Sequence, residues 1–211
     1  GVSFTLDGNE LRWQNWSLRL GFNFREGPVL YQVAFDDPNA ADPEQQRRDI
    51  AYRMSFAEMV VPYRDPGFDH YRRTAYDIGE WGLGFMTQSL ELGCDCLGEI
   101  RYLDAVLHDT RGEPYVIPNA VCIHEEDDGI LWKHTDFRTG VVEVRRGRKL
   151  VISSIVTVGN YEYGFFWYLQ QDGMIQCEIK ATGIVATQAR AENEPTEYGK
   201  LVAPHLNGIH H

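Results

Sequence analysis

Short segments in which apolar and polar residues alternate dominate the chain. Residues 16–24, WSLRLGFNF, and residues 29–35, VLYQVAF, alternate with a period of two, which is typical of a β-strand with one buried face. Residues 3–6, SFTL, and 10–13, ELRW, flank Asp-Gly-Asn at 7–9. Because Asp-Gly readily adopts the positive φ of a tight turn, this segment predicts a β-hairpin.

Polar stretches separate the other strand-like segments. Residues 36–49, DDPNAADPEQQRRD, carry two prolines and predict an exposed loop. The glycine-interrupted segment 76–93, YDIGEWGLGFMTQSLELG, is the best helical candidate, and its glycines argue against a long helix. Strands are expected in 51–63 (AYRMSFAEMVVPY), 113–126 (EPYVIPNAVCIHEE, two short strands), 148–160 (RKLVISSIVTVGN), 162–170 (EYGFFWYLQ) and 175–187 (IQCEIKATGIVAT). The pattern predicts a mainly β fold, an antiparallel β-sandwich.

Size and charge limit the classes of function. The 211 residues suffice for a sizeable core. Asp and Glu number 31 against 20 Lys and Arg, a net charge of −11, whereas a nucleic-acid-binding surface is basic. We therefore expect no nucleic-acid partner. No apolar run is long enough to cross a bilayer, so we expect no membrane partner either.

The cysteines do not follow a common zinc-binding spacing. Cys94 and Cys96 are separated by one residue, and the chain has no second close pair to complete a four-thiolate site. A disulfide between Cys96 and Cys122 would be compatible with a strand–loop–strand path, but spacing alone does not establish it.

The segment 123–134, IHEEDDGILWKH, raises the alternative of a zinc hydrolase. His124, Glu125 and His134 have residue types found in such sites. However, the zinc protease motif places its histidines four residues apart on one helical face, and here they are ten apart across a glycine. The competing interpretation is an acidic loop whose carboxylates are satisfied by backbone groups and arginines.

Asp77 and a group of three histidines each admit both a structural and a chemical interpretation. Asp77, in TAYDIGEW, lies among aromatic and small residues, and burial would raise its pKa toward that of a general base; an Asx turn or helix cap is the alternative. His205, His210 and His211 cluster near the last residue; a metal site is one interpretation, and a remnant of a purification tag is the alternative. Adjacent strand residues face opposite ways, so only one of His210 and His211 would bind a given ion.

Residues 160–164, NYEYG, place polar groups at the head of an apolar run. Tyr161 stands between an amide and a carboxylate, and Gly159 and Gly164 are expected to leave room for close approach. A phenol beside a redox metal becomes reactive toward oxygen. From the residues alone, an ordinary core tyrosine remains the alternative.

Residues 157–173, TVGNYEYGFFWYLQQDG, resemble a segment of the copper-containing primary amine oxidases. In that family an Asn-Tyr-Asp/Glu-Tyr motif supplies the tyrosine that becomes topaquinone. Other blocks resemble successive family segments in the same order, so the resemblance covers essentially the whole chain: VSFTLDGNELRWQNWSLRLGFNFREG, FAEMVVPY, YDIGEWGLG, SLELGCDCLGEIRYL, IHEEDDGILWKHTDF and IKATGIVAT.

The resemblance implies a role for several residues. Tyr161 would be the topaquinone precursor and Asp77 the catalytic base. Tyr63 would hydrogen-bond the quinone oxygen, and Asn160 would keep the quinone ring oriented in a dry, rigid cavity. Ala75 stands where relatives often carry a larger gating side chain, which suggests a wider substrate channel.

The resemblance also implies copper(II) and a disulfide. The family binds copper through a His-x-His pair and a distant third histidine, and the position of APHLNGIHH makes His211 the first ligand and His210 a neighbour that does not bind. Cys96 and Cys122 would form the disulfide. Residues 1–211 would be the N-terminal part of the catalytic β-sandwich (supersandwich) domain, truncated at the first copper ligand, and this piece alone would be inactive.

The activity implied is oxidative deamination of a primary amine by dioxygen, giving an aldehyde, ammonia and hydrogen peroxide. The complete protein would be a homodimer, and relatives are secreted, periplasmic or peroxisomal. The alternative from another class is a non-catalytic β-sandwich that serves in binding or assembly.

Overall fold

The regular secondary structure of the chain is almost entirely β-strand in a computed structural model, which describes residues 1–68, 70–192, 194 and 197–211. The strands are β1 (Thr5–Asp7), β2 (Glu10–Trp13), β3 (Trp16–Asn23), β4 (Gly27–Asp36), β5 (Arg47–Met54), β6 (Val60–Pro62), β7 (Thr74–Tyr76), β8 (Ile100–His108), β9 (Pro114–Thr135), β10 (Val142–Val158), β11 (Tyr161–Gln170), β12 (Ile175–Gly183), β13 (Thr187–Ala189), β14 (Gly199–Ala203) and β15 (Leu206–Ile209). A 3₁₀ turn (Pro43–Gln45) and a π-helix (Asp77–Trp81) interrupt them. No helix in these described ranges is long and apolar enough to span a membrane.

Within the described residues these strands form four antiparallel sheets. One five-stranded sheet has the order β1-β2-β3-β4-β5 and the other has the order β12-β11-β10-β9-β8. A three-stranded sheet, β13-β15-β14, and the β6-β7 hairpin complete the structure. The expected hairpin at residues 3–13 is present as β1 and β2, with Gly8 at a φ of 57° in the turn.

The two five-stranded sheets pack face to face over one large core. Trp13, Trp16 and Leu18 from the first sheet meet Ile123 and Ile152 from the second. Each large apolar side chain buried here stabilises the fold by about 1.5–3 kcal/mol. The predicted antiparallel sandwich is confirmed.

The structure corrects three local predictions. Within the expected loop 36–49, β5 already begins at Arg47. Residues 114–126 of the segment expected to form two short strands belong to a single 22-residue strand, β9. The acidic run of IHEEDDGILWKH also lies in β9, where Glu126 is opposite Lys149 and Asp127 opposite Arg148 in β10. Since these cross-strand cations come from a distant segment, the local sequence resembled a loop.

Candidate active site

The strand that carries Tyr161 starts directly after a two-residue turn. Gly159 and Asn160 connect β10 to β11, and Val158 pairs with Tyr161 across the hairpin. Gly159 has a φ of 63°, which glycine adopts without steric cost. A Cβ on this glycine would meet no atom within 4 Å, so Gly159 serves the turn and not the close approach that we expected.

Gly164 does permit close packing. A Cβ at this position would lie 2.6 Å from Cε2 of Phe166. Tyr161, Tyr163 and Phe165 share one face of β11 because strand side chains alternate. Tyr163 and Phe165 pack there in a small apolar cluster, which fixes the face toward which the Tyr161 ring points.

Asp77 reaches this region from a different part of the chain. It follows β7 and is the first residue of the π-helix. Its backbone N–H donates to the Met59 carbonyl at 3.0 Å, which ties the helix to the segment before β6. The Asp77 side chain is only 4% exposed, and the Tyr163 hydroxyl lies close enough to it to lower its pKa.

Burial raises the pKa of Asp77 above its ordinary value, because removal of water disfavours the charged carboxylate. The negative charges of Glu80 and Glu58 raise this pKa further, while the Tyr163 hydrogen bond and His211 lower it. Burial and the adjacent Asp77 carboxylate also raise the pKa of Tyr163, which favours the protonated phenol as a donor to that carboxylate. The carboxylate therefore has the desolvated setting that suits a general base.

The Tyr161 ring contacts two other aromatic side chains. Its centroid lies 5.2 Å from that of His211 and 6.3 Å from that of Tyr163. The buried Tyr161 hydroxyl makes no hydrogen bond of standard geometry within the described part of the chain. Burial and the nearby Tyr63 hydroxyl raise the pKa of Tyr161, while Asn160 is close enough to lower it.

Tyr63 and Asn160 flank Tyr161. The Tyr63 ring stacks on His211 with centroids 4.9 Å apart, and the Arg73 guanidinium carbon is 4.3 Å from the Tyr63 centroid. The Asn160 amide donates to the Ile184 carbonyl, which anchors the β10–β11 turn beyond the end of β12.

These residues surround one cavity of about 300 Å³. The four predicted catalytic residues, Tyr63, Asp77, Asn160 and Tyr161, all line it. Ala75 lies in its wall, where a larger side chain would narrow it. Charged groups of both signs are present, and the remaining lining residues are Val61, Arg73, Thr74, Glu80, Trp81, Val158 and Gly159.

A family model described as copper amine oxidase, enzyme domain, matches residues 5–211. The chain belongs to the copper amine oxidase family. Amine oxidation is the general reaction of this family, and its members contain copper.

Known copper amine oxidases match nearly the whole chain. A peroxisomal copper-containing diamine oxidase 1 of Nicotiana tabacum is 50% identical over 206 residues, 98% of this chain and 26% of the relative. A primary amine oxidase of Arthrobacter sp. (strain P1) is 50% identical over 200 residues, 95% of this chain and 30% of the relative. A crystal structure of a copper-containing benzylamine oxidase from Hansenula polymorpha has a TM-score of 0.87 at 39% identity, covering 99% of this chain and 31% of that one. The chain therefore spans less than a third of each relative.

His211 and Tyr161, whose rings are in contact, carry donors that fit copper as part of a larger ligand set. His211 Nδ1 lies 3.1 Å from the Ile209 carbonyl, so a proton on Nδ1 leaves Nε2 available to bind a metal. The buried Tyr161 hydroxyl beside it has no standard hydrogen bond among the described residues, and copper(II) accepts imidazole nitrogen and oxygen donors. Those residues contain no group of three or more His, Cys, Asp and Glu side chains placed to hold a metal ion.

The two cysteines of the predicted disulfide are neighbours. Cys122 is buried and Cys96 packs against the same small cluster, and burial together with the adjacent Cys96 raises the pKa of the Cys122 thiol. Both residues are thiols in this structure. The Cys96–Cys122 disulfide stays a prediction.

The structure contradicts the zinc hydrolase alternative. His124 and His134 lie on the same strand, β9, and ten residues of extended chain span on the order of 30 Å. One ion cannot bridge that distance. His124 Nε2 instead lies 2.9 Å from Glu126, and Glu125 accepts from the indole of Trp13 at 2.6 Å.

Two residues of the site were missed in the sequence. Tyr163 follows Tyr161 by two positions, so strand alternation alone would have placed both on one face. Glu58 accepts hydrogen bonds from the Ile78 and Gly79 N–H groups at 3.1 Å. Because it lies about 20 residues from that helix, no local pattern indicates the contact.

Proposed function

We propose that the complete protein catalyses oxidative deamination of primary amines. In this reaction a primary amine, dioxygen and water give an aldehyde, ammonia and hydrogen peroxide. The main observation in support of this proposal is that one cavity is lined by Tyr63, Asp77, Asn160 and Tyr161. Its volume of about 300 Å³ is in the range of small-molecule sites.

Asp77 is proposed as the general base. A carboxylate accepts a proton more readily as its pKa rises toward the working pH, and burial raises the pKa of Asp77. Its role is to remove the proton from the carbon next to the amine nitrogen. The Tyr163 hydroxyl, which lies close to Asp77, would orient the carboxylate and lower its pKa.

Tyr161 is proposed as the topaquinone precursor, and His211 as the first copper ligand. Copper and the quinone, when bound, would supply the electron sink for the amine and the redox link to dioxygen. Tyr63 and Asn160 flank the Tyr161 ring and restrict its orientation. The apolar cluster of Ile78, Leu83, Val156, Val158, Tyr163 and Phe165 keeps water from its inner side.

Substitution of Asp77 tests the proposal directly. In the full-length copper-loaded protein, Asp77→Asn should retain the quinone but lose roughly 10²–10⁴-fold in turnover, the usual contribution of a general base. Asp49→Asn, at an exposed carboxylate on β5, is the matched control and should behave as wild type. Normal turnover by Asp77→Asn would refute the assigned role.

A quinone assay separates this proposal from a non-catalytic binding module. The full-length protein, expressed without copper and then given copper in air, should become positive in a redox-cycling dye stain for quinones. A Tyr161→Phe variant should stay negative. Absence of the stain in wild type would favour the binding module.

The remaining expectations concern the whole protein. We propose that it is a homodimer, which sedimentation analysis of the purified full-length protein can test.

For the compartment we propose peroxisomes, because the tobacco relative is named as peroxisomal. Microscopy of the tagged full-length protein would distinguish peroxisomes from a secreted or periplasmic location.

A further inference from the structure

The Glu58 carboxylate accepts hydrogen bonds at the start of the short helix that carries Asp77. Its Oε1 atom accepts hydrogen bonds from the backbone N–H groups of Met59 at 3.0 Å and of Ile78 and Gly79 at 3.1 Å. The neighbouring Met59 carbonyl accepts from the Asp77 N–H at 3.0 Å. Two consecutive residues therefore hold the first three N–H groups of the π-helix.

This arrangement replaces an ordinary helix cap. The first N–H groups of a helix have no partner inside the helix and require an outside acceptor. Tyr76, the residue at the cap position, makes no side-chain capping hydrogen bond. Glu58 supplies the acceptor from a segment that precedes the helix by about 20 residues, and so it couples the position of the helix to the β6 side of the cavity.

The helix sequence accommodates this carboxylate. A Cβ at Gly79 would lie only 2.7 Å from Oε2 of Glu58, which is shorter than any normal contact. The φ of Gly79 is not in the left-handed region, so the backbone itself would accept alanine. A side chain at residue 79 would therefore require the flexible end of Glu58 to shift.

Arg25 adds a further partner on the opposite side. Its guanidinium donates to Oε2 of Glu58 at 3.2 Å, and its carbonyl accepts from the Leu83 N–H at 2.9 Å. Because the Arg25–Glu58 pair is partly exposed, its own contribution is small. The backbone hydrogen bonds remain the main function of the carboxylate.

We propose that Glu58 is a positioning residue for amine oxidation, because it fixes the helix start from which the Asp77 side chain enters the cavity. The inference rests on the proposed function. A displacement of about 1 Å in a catalytic group costs on the order of 10²-fold in rate. Loss of the Glu58 acceptor should therefore lower kcat while the quinone still forms, since Tyr161 lies on a different strand.

The test compares Glu58→Ala with Glu58→Gln in the full-length copper-loaded protein. Glu58→Ala should lower kcat roughly 10²-fold with quinone content and KM within about twofold of wild type. It should also raise the deuterium isotope effect for an amine labelled at the α-carbon, because proton removal becomes slower. Glu58→Gln keeps a carbonyl acceptor for the same N–H groups and should recover most of the rate.

A Gly79→Ala variant gives a second route to the same conclusion. Its Cβ should displace the Glu58 carboxylate and reproduce the loss of kcat, yet have little further effect when combined with Glu58→Ala, because coupled residues are not additive. Additive losses would overturn the proposal. Glu10→Ala, which removes an exposed glutamate paired with Arg12, is the matched control.

Other outcomes remain decisive. A Glu58→Ala enzyme with wild-type kcat, or a Glu58→Gln enzyme as slow as Glu58→Ala, would overturn the positioning role. If wild type itself forms no quinone and oxidises no amine, the proposed function fails instead. Hydrogen exchange at the Ile78 and Gly79 amides then tests their hydrogen bonds to Glu58 separately. Exchange should be faster in Glu58→Ala than in Glu58→Gln.

Discussion

The core between the two large sheets and the cavity that contains Tyr161 differ in whether their buried polar groups have hydrogen-bond partners. In the core, the buried indoles of Trp13 and Trp16 donate to Glu125 and to the Gln170 carbonyl. At the cavity, a carboxylate is buried beside other carboxylates and the Tyr161 hydroxyl has no standard partner among the described residues. A satisfied polar group stabilises a fold, whereas an unsatisfied one costs stability and retains reactivity. The comparison predicts that stability and activity depend on different residues.

The largest stability effect is expected in the core. Trp13→Ala removes a 1% exposed indole and leaves Glu125 without one of its donors, so it should lower the free energy of unfolding by about 3–5 kcal/mol. Urea unfolding of the purified protein measures this. Trp132→Ala, at a 46% exposed tryptophan on β9, should cost far less. An equal loss of unfolding free energy in both variants would contradict the special role of the core.

A smaller loss is expected for Glu26→Gln, at the edge of the core. Arg53, Ser55 and Asn23 donate to Glu26, and the Arg53 hydrogen bond is the main reason that the pKa of Glu26 falls to about 2. A lowered pKa stabilises the fold above the unfolded value of 4.5, and that stability is lost as the pH falls toward 2.

The Glu26→Gln variant should therefore lose about 1–3 kcal/mol at neutral pH, as hydrogen bonds to a charged group weaken. Its stability should also depend less on pH between about 4.5 and 2 than that of wild type. Unfolding curves across this range measure both effects. An unchanged pH dependence would contradict the role of the Glu26–Arg53 pair.

At the cavity, Tyr163→Phe should change the pH dependence of catalysis more than the stability. Loss of the hydroxyl removes a hydrogen bond that lowers the pKa of Asp77, so the acidic limb of kcat/KM should move to higher pH. The stability should fall by only about 1 kcal/mol. Tyr168→Phe removes a comparable phenol–carboxylate hydrogen bond, to Glu178 at 2.5 Å, and should leave the pH profile unchanged.

The smallest effect on stability has the opposite sign. Burial raises the pKa of Asp77, so its ionised form destabilises the fold above the folded-state pKa, and this penalty vanishes below the unfolded value of 3.8. Asp77→Asn should therefore be slightly more stable than wild type at neutral pH, while activity is lost. Thermal unfolding at two pH values checks this. A large loss of stability would mean that Asp77 serves the fold.

The sequence was sufficient for the fold class but not for how distant segments meet. Alternation predicted the sandwich, because each strand carries its own period, and the Asp-Gly turn predicted the hairpin of β1 and β2. The acidic run in β9 was misread as a loop because its lysine and arginine partners lie on β10. Gly159 shows a similar limit, since a glycine in sequence does not reveal whether it serves a turn or a close contact.

The candidate site was recognised from a resemblance, and the structure adds the geometry. Residues 76–93 were the best helical candidate in the sequence, and a short π-helix does lie there. Nothing near Asp77 indicates that Glu58 holds this helix, because that contact spans about 20 residues. The position of Tyr163 could have been predicted, because strand alternation places it on the same face as Tyr161.

The most direct test of the account is the chemical state of Tyr161. The full-length protein should be made without copper, given copper(II) in air, digested and analysed by mass spectrometry. We expect the peptide that contains Tyr161 to gain oxygen only after copper addition, and phenylhydrazine to label that peptide. An unmodified Tyr161 in copper-loaded protein that still oxidises amines would contradict the account.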